Sequence, residues 1–209
     1  MYCKNLTGLY AITDASVSDS QKIVRDVEQA LHGGARLIQY RDKSSNQKQR
    51  LETCLAIREL TQKYDAVFIV NDDTKLALVA QADGVHLGQD DTRLADARRQ
   101  LGGKAIIGVS CYNRFDLAER ATKDGANYIA FGRFFNSRTK PDAVTADKNL
   151  LLKAKQELDI PIVAIGGITA ANGKALIEAG ADMLAIVDDI FGQKNIEAAA
   201  RRCHSLFES

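Results

Sequence analysis

The stretch Ile162-Val163-Ala164-Ile165-Gly166-Gly167-Ile168, with Gly180-Ala181-Asp182 and Met183-Leu184-Ala185-Ile186-Val187 downstream of it, decides the fold. Two short apolar runs, each apolar at every position, flank a helical pattern at about residues 172–179. A strand exposed on one face alternates apolar and polar residues, whereas a strand covered on both faces does not. The glycine closing the helical pattern can adopt the left-handed conformation that stops a helix and turns the chain back toward the sheet. The unit is strand, glycine turn, helix, glycine turn, parallel strand. Working outward, the glycine phrase recurs at Gly33-Gly34-Ala35 and Gly125-Ala126. Candidate strands fall at Gly8–Thr13, Leu37–Arg41, Val67–Val70, Gly84–Leu87, Ile106–Ser110, Tyr128–Phe131, Ile162–Ile165 and Met183–Val187. Helical patterns lie between and after them, at about 20–33, 47–63, 74–81, 92–101, 114–124, 149–158, 172–179 and 194–207. Val24, Val27, Ala30 and Leu31 show the apolar stripe in the first. Strict strand–helix alternation predicts an α/β fold, a single (β/α)8 TIM barrel over residues 1–209, ahead of an open doubly wound sheet.

Bulk properties narrow the function. The 28 Lys and Arg nearly cancel the 27 Asp and Glu, which argues against a nucleic-acid partner held by a broad basic face. No apolar run approaches the ~20 residues of a membrane span, and Met1 to Thr7 lacks the apolar core of a secretory signal. A cytoplasmic protein with small-molecule partners, as a monomer or a homo-oligomer, is the expectation. Cys3, Cys54, Cys111 and Cys203 show no metal or disulfide spacing. Cys54 and Cys203 sit in helical patterns as packing residues, and His32 and His204 likewise have structural places.

In such a barrel the working surface is the set of loops after the strands' carboxyl ends. After strand two comes Gln39-Tyr40-Arg41-Asp42-Lys43, where alternation puts Gln39 and Arg41 on one face. An amide, a guanidinium and an ammonium together suit an anionic heteroaromatic ligand, although a solvated loop would carry the same residues. Asn71-Asp72-Asp73 follows strand three, and His86-Leu87-Gly88-Gln89-Asp90-Asp91 ends strand four. Neighbouring strands bring Asp72 and Asp91 within reach of one Mg²⁺, which takes oxygen ligands. Asp73 and Asp90 read as helix caps, and His86 as a hydrogen-bonded strand histidine. Ser110 ends strand five. After strand six the loop from Gly132 to Pro141 carries Ser137, Arg138, Thr139 and Lys140, a composition suited to a lid or phosphate clamp. Gly166-Gly167 after strand seven and Val187-Asp188-Asp189 after strand eight occupy the usual phosphate end, beside a short extra helix.

Taken in order, Gln39–Lys43, Asn71–Asp73, Asp83–Asp91, Gly108–Ser110, Thr139-Lys140 and Ile165–Ile168 resemble the thiamine phosphate synthase family over essentially the whole chain. The resemblance implies alkyl transfer: 4-amino-2-methyl-5-hydroxymethylpyrimidine pyrophosphate loses pyrophosphate, and the ring nitrogen of hydroxyethylthiazole phosphate takes the methylene carbon. It implies that Gln39, Tyr40, Arg41, Asp42, Lys43, Asn71, Ser110 and Lys140 bind the pyrimidine pyrophosphate, with Arg41, Lys43, Ser110 and Lys140 assisting catalysis. Asp72 and Asp91 would hold Mg²⁺. Ser137, Arg138, Thr139, Gly167, Val187 and Asp188 would line the thiazole-phosphate end. The chain departs from the commoner family pattern at Asn136-Ser137, and at Val187-Asp188-Asp189, where acids stand in place of a serine. Asp188 is expected to point outward or cap the short helix. A related thiazole tautomerase, the nearest alternative, would not need the complete set Arg41, Lys43, Asp72, Asp91 and Lys140. A non-catalytic phosphate-ligand barrel, from a different functional class, would show gaps in that set.

Overall fold

The computed structural model describes residues 6–14, 19–43, 46–136 and 145–208. Eight parallel strands close on themselves in chain order: β1 (Gly8–Ile12), β2 (Leu37–Tyr40), β3 (Val67–Asn71), β4 (Gly84–Leu87), β5 (Ile106–Tyr112), β6 (Tyr128–Gly132), β7 (Ile162–Ile165) and β8 (Met183–Ile186). The ring closes where Gly8, Leu9, Tyr10 and Ala11 pair with Met183, Leu184, Ala185 and Ile186. Helices α1 (Ser20–His32), α2 (Gln47–Lys63), α3 (Thr74–Val79), α4 (Leu94–Leu101), α5 (Phe115–Lys123), α6 (Lys148–Glu157) and α7 (Lys174–Glu178) each follow a strand. After β8 come a four-residue helix, α8 (Asp188–Phe191), and then α9 (Ile196–His204). The strands thus agree with the sequence reading to within a residue or two. An open sheet is ruled out by the β1–β8 pairing.

Side-chain alternation divides the apolar residues into two cores. Leu9, Ala11, Ile38, Tyr40, Phe68 and Val70 point outward and pack with the helices. Tyr10, Ile12, Leu37, Ile69, Tyr128, Val163 and Met183 point inward and fill the barrel. Cys54, Cys111 and Cys203 are buried in the outer layer, where burial is the main cause that pushes each thiol up to about 12.

A clamp recurs at the strands' amino ends. Asp83, Asn127 and Asp182 each precede a strand, and each donates its own N–H to a residue of the preceding strand while its side chain accepts that residue's N–H. The partners are Phe68, Ile107 and Ile162, with side-chain bonds of 2.8, 2.9 and 2.9 Å. A basic residue backs each clamp: Arg58 on Asp83 at 3.0 Å, Arg98 on Asn127 at 2.8 Å and Lys155 on Asp182 at 2.7 Å. Arg36 holds the equivalent place before β2 and makes the backbone half alone, to Leu9. The strand pairs β3–β4, β5–β6 and β7–β8 are locked by one device, which leaves the opposite end of the barrel free for the site.

Candidate active site

The carboxyl ends of the strands surround a cavity of about 430 Å³. Gln39, Arg41, Asn71 and Ser110 line it from β2, β3 and β5, and Gly167, Val187 and Asp188 from the β7 and β8 ends. Residues far apart in sequence therefore converge on one space. Gln39 is buried although polar, because it continues the inward face of β2 past Leu37. Arg41 stands two residues further on, and its backbone N–H is held by the Thr13 hydroxyl at 3.0 Å.

The same alternation corrects the assignment of Tyr40. Its ring lies in the outer, helix-facing core, and its hydroxyl donates to Asp42 Oδ2 at 2.8 Å. Neither side chain lines the cavity, so this pair fixes the β2 loop from behind rather than forming the cavity wall.

Beneath the cavity runs a polar chain that includes residues not anticipated as site residues. The Gln39 amide donates to the Tyr10 hydroxyl at 2.7 Å, and Tyr10 and Tyr128 share a hydroxyl contact of 2.8 Å. His86 meets Tyr128 through Nδ1 at 3.0 Å and the Ser110 hydroxyl through Nε2 at 2.8 Å. Tyr128 fits inside the barrel because residue 108 is glycine: a Cβ there would stand 1.9 Å from the Tyr128 ring. His86 is a hydrogen-bonded strand histidine, as read from sequence, and it also lines the cavity.

Asp72 and Asp91 sit together at the rim. The backbone at Asp72 is left-handed, with φ of 62°, a conformation that aspartate tolerates better than most residues, and its N–H donates to His86 O at 2.9 Å across to β4. Its carboxyl is pushed up to about 6, first by burial and then by the hydrogen bond and charge of Asp91; Lys43 and the Asn71 amide, 2.5 Å away, pull the other way. Two carboxylates that oppose each other's ionisation are a fitting pair for a divalent cation, which would relieve both. Asp91 also accepts the Gly88 N–H at 2.8 Å, which orients it. Asp73 caps α3 through Leu76 N–H at 2.9 Å, as expected. Asp90 does not cap: α4 begins after Arg93 with no side-chain cap.

At the far end, Gly166 and Gly167 have φ of 101° and 63°, and the β6 loop crosses close over both. A Cβ on Gly166 would meet Arg133 Cβ at 2.3 Å, and one on Gly167 would meet Asn136 O at 2.3 Å. Arg133 bonds Asn136 at 2.7 Å, and both line the cavity. Neither was given a site role from the sequence, although Asn136 was named as a departure from the family pattern and Arg133 stands one residue past the end of β6. Asp188 is exposed at the cavity edge and does not cap α8, whose N-cap is Val187 with no side-chain bond; of the two expected orientations, outward or capping, capping is excluded. Asp189 instead accepts the Ala170 N–H at 3.0 Å and ties α8 to the β7 loop. Ser137, Arg138, Thr139 and Lys140 lie outside the described residues.

A closed parallel barrel with amide, hydroxyl, guanidinium and paired carboxylates at the strands' carboxyl ends defines a class: a (β/α)8 enzyme for a phosphorylated or pyrophosphorylated ligand. The comparisons make it particular. A family model described as Thiamine monophosphate synthase matches residues 9–190. A thiamine-phosphate synthase of Thioalkalivibrio sulfidiphilus (strain HL-EbGR7) is 49% identical over 205 residues, covering 98% of this chain and 97% of that one. One of Marinobacter nauticus (strain ATCC 700491 / DSM 11845 / VT8) is 48% identical over 202 residues, covering 96% and 90%. The solved thiamine phosphate pyrophosphorylase from Pyrococcus furiosus superposes with a TM-score of 0.88 at 33% identity, covering 98% of this chain and 96% of that one. The chain belongs to the thiamine monophosphate synthase family.

Proposed function

We propose that the chain is a transferase of thiamine biosynthesis, a thiamine-phosphate synthase that joins 4-amino-2-methyl-5-hydroxymethylpyrimidine pyrophosphate to hydroxyethylthiazole phosphate. The observation that carries this reading is convergence: Gln39, Arg41, Asn71, Ser110, Gly167 and Val187, from five different strand ends, face one cavity in a chain that belongs to this family. In the reaction the bond between the pyrimidine methylene carbon and the pyrophosphate oxygen breaks, and its electron pair leaves with pyrophosphate. The thiazole nitrogen supplies the pair for the new carbon–nitrogen bond. The 4-amino group feeds electron density toward the departing carbon, so no protein nucleophile is needed. Arg41 and Lys43 stabilise the charge growing on pyrophosphate, and Lys140 is assigned the same part by resemblance. Asp72 and Asp91 would hold Mg²⁺, which supplies charge neutralisation at the leaving group when bound. The closed barrel, with Ile12, Val163, Ile165 and Ala185 in the cavity wall, keeps water from the cationic carbon. Among the described residues no helix is long and apolar enough to cross a membrane. A cytoplasmic enzyme acting on two small molecules is the consistent placement.

The test is a single assay with both substrates and Mg²⁺, quantifying thiamine phosphate and pyrophosphate. Equimolar appearance of the two is the expected result. Conversion of the thiazole phosphate alone, with the pyrimidine pyrophosphate untouched, would return the assignment to a tautomerase.

A further inference from the structure

β5 ends in an irregularity that aims one side chain. Ser110 pairs with Ala130, but the next pairing joins Tyr112 to Phe131, so Cys111 is an extra residue and the strand carries a bulge. The Ser110 carbonyl at the bulge accepts the Gln89 amide from the β4 loop at 2.6 Å. The Arg114 N–H donates to Cys111 O at 2.9 Å and closes a turn whose first middle residue is Tyr112. Tyr112 has φ of 53°. Turns with positive φ at that place belong to glycine, asparagine and aspartate, and a bulky side chain there is a rare, strained choice. Asn113, one residue on, is of the favoured type, yet the left-handed place is given to the tyrosine. Phe131, opposite Tyr112 in the ladder, belongs to the outer, helix-facing core, whereas Tyr112 lines the cavity. Bulges beside active sites re-aim side chains in this way. Tyr112 is 41% exposed, and of the large hydrophobic residues left exposed, with Leu55, Leu78, Val79 and Leu152, it is the one that lines the cavity. None of the aromatic pairs among the described residues includes it.

We propose that Tyr112 is a further specificity-determining residue: its ring is the wall on which the thiazole ring of hydroxyethylthiazole phosphate stacks. The proposal rests on the function proposed above for the identity of that ring. The pyrimidine pyrophosphate has Gln39, Asn71 and Ser110 for its ring and Arg41 and Lys43 for its charge, whereas the groups assigned to the other substrate, such as Gly167 and Val187, serve its phosphate end. A thiazole is flat and has no hydrogen to donate from its ring nitrogen, so an aromatic face suits it better than a polar group. Tyr112 stands on β5, next to the strand that leads into Gly132 and Arg133 and so toward the phosphate end. When the thiazole nitrogen gives its electron pair to the methylene carbon, the ring becomes cationic. A tyrosine face attracts a cation, so the wall holds the ring more tightly as the bond forms. The strained backbone at Tyr112 is thereby tied to a ligand contact.

The first readout needs no turnover. The chain contains no tryptophan, so Tyr112→Trp gives it a single indole fluorophore, placed at the wall. Hydroxyethylthiazole phosphate, added with Mg²⁺ and inorganic pyrophosphate so that nothing can react, should quench that fluorescence saturably. Inorganic phosphate, which has no ring, should not quench it, and the pyrimidine pyrophosphate alone should quench it less. The second readout is steady-state kinetics. Tyr112→Phe keeps the face and should hold KM for the thiazole phosphate within about twofold, while Tyr112→Leu should raise it about tenfold with KM for the pyrimidine pyrophosphate unchanged. Tyr112→Gly suits the left-handed backbone, so its Tm should hold or rise while it loses thiazole phosphate binding as Tyr112→Leu does, a split that a packing role would not give. Absence of quenching by the thiazole phosphate, stronger quenching by the pyrimidine pyrophosphate, an unchanged KM in the leucine and glycine variants, or a fall in Tm in Tyr112→Gly would each overturn the wall. If the chain makes no thiamine phosphate yet Tyr112→Trp is quenched by the thiazole phosphate as stated, the function falls and the wall stands.

Discussion

Asp72 shows how one residue's environment sets its chemistry. Its carboxyl titrates near 6 instead of 3.8, chiefly through burial and then through Asp91. For a carboxyl raised on folding, the stabilising contribution is full below the ordinary value and is lost as pH climbs through about 6. The metal-free barrel therefore gives up stability on that flank, and a divalent cation restores it only when the proton has gone. The rise in Tm produced by Mg²⁺ should be small at pH 5 and grow toward pH 7, as scanning calorimetry can follow. Asp91→Asn should move this dependence to lower pH, because the opposing charge is gone, and Asp72→Asn should abolish it. Both variants should fold and turn over poorly. A Mg²⁺ shift equal at pH 5 and pH 7 in the wild type would refute the metal assignment.

The clamps are the device that matters among the elements, and they make a prediction independent of catalysis. Asp182→Ala leaves the Ile162 N–H inside the β7–β8 seam without its 2.9 Å acceptor and releases Lys155. An unsatisfied buried donor costs about 1–3 kcal/mol, so chemical denaturation should show a loss of that size. KM for either substrate should hold, since the clamp lies at the end of the barrel away from the cavity. Asp182→Asn, which retains an acceptor as Asn127 does, should recover most of the loss. Elements of this kind were partly legible in the sequence. All-apolar runs and repeated glycine phrases disclosed the eight strands and their parallel sense, yet the residue after Gly125-Ala126 and after Gly180-Ala181 carries the clamp and was given no role, because its partner is 20 positions away. Helix ends slipped by a residue or two, as at α4, where a plausible cap at Asp90 is overridden by the β4 loop holding Asp91. Alternation placed Gln39 and Arg41 correctly on the inner face; the same rule sends Tyr40 outward, against its inclusion in the site. The polar chain beneath the cavity was illegible, because its links join residues 29, 118, 42 and 24 positions apart and periodicity carries no information on which inward side chains meet.

On the scale of the whole molecule, closure decides how binding and folding are connected. Every strand of the ring is paired on both sides, so no strand can leave without breaking two ladders. The cavity is lined from β1 through β8, and a ligand there touches the carboxyl ends of strands on opposite sides of the ring. Stabilisation by such a ligand cannot be confined to one part of the barrel. Mg²⁺ with inorganic pyrophosphate, each at saturating level, should therefore move a single unfolding transition upward without splitting it. At a hundred times Kd the gain is about 2.7 kcal/mol, which in a barrel of this length corresponds to about 5–10 °C in Tm. Pyrophosphate alone should do much less, because Asp72 and Asp91 then add negative charge beside the anion rather than a bridged cation. Arg41→Ala should reduce the combined shift while the transition remains single. Two resolved transitions, with only one responding to Mg²⁺ and pyrophosphate, would show that the ring opens in parts and that the site belongs to one section of it.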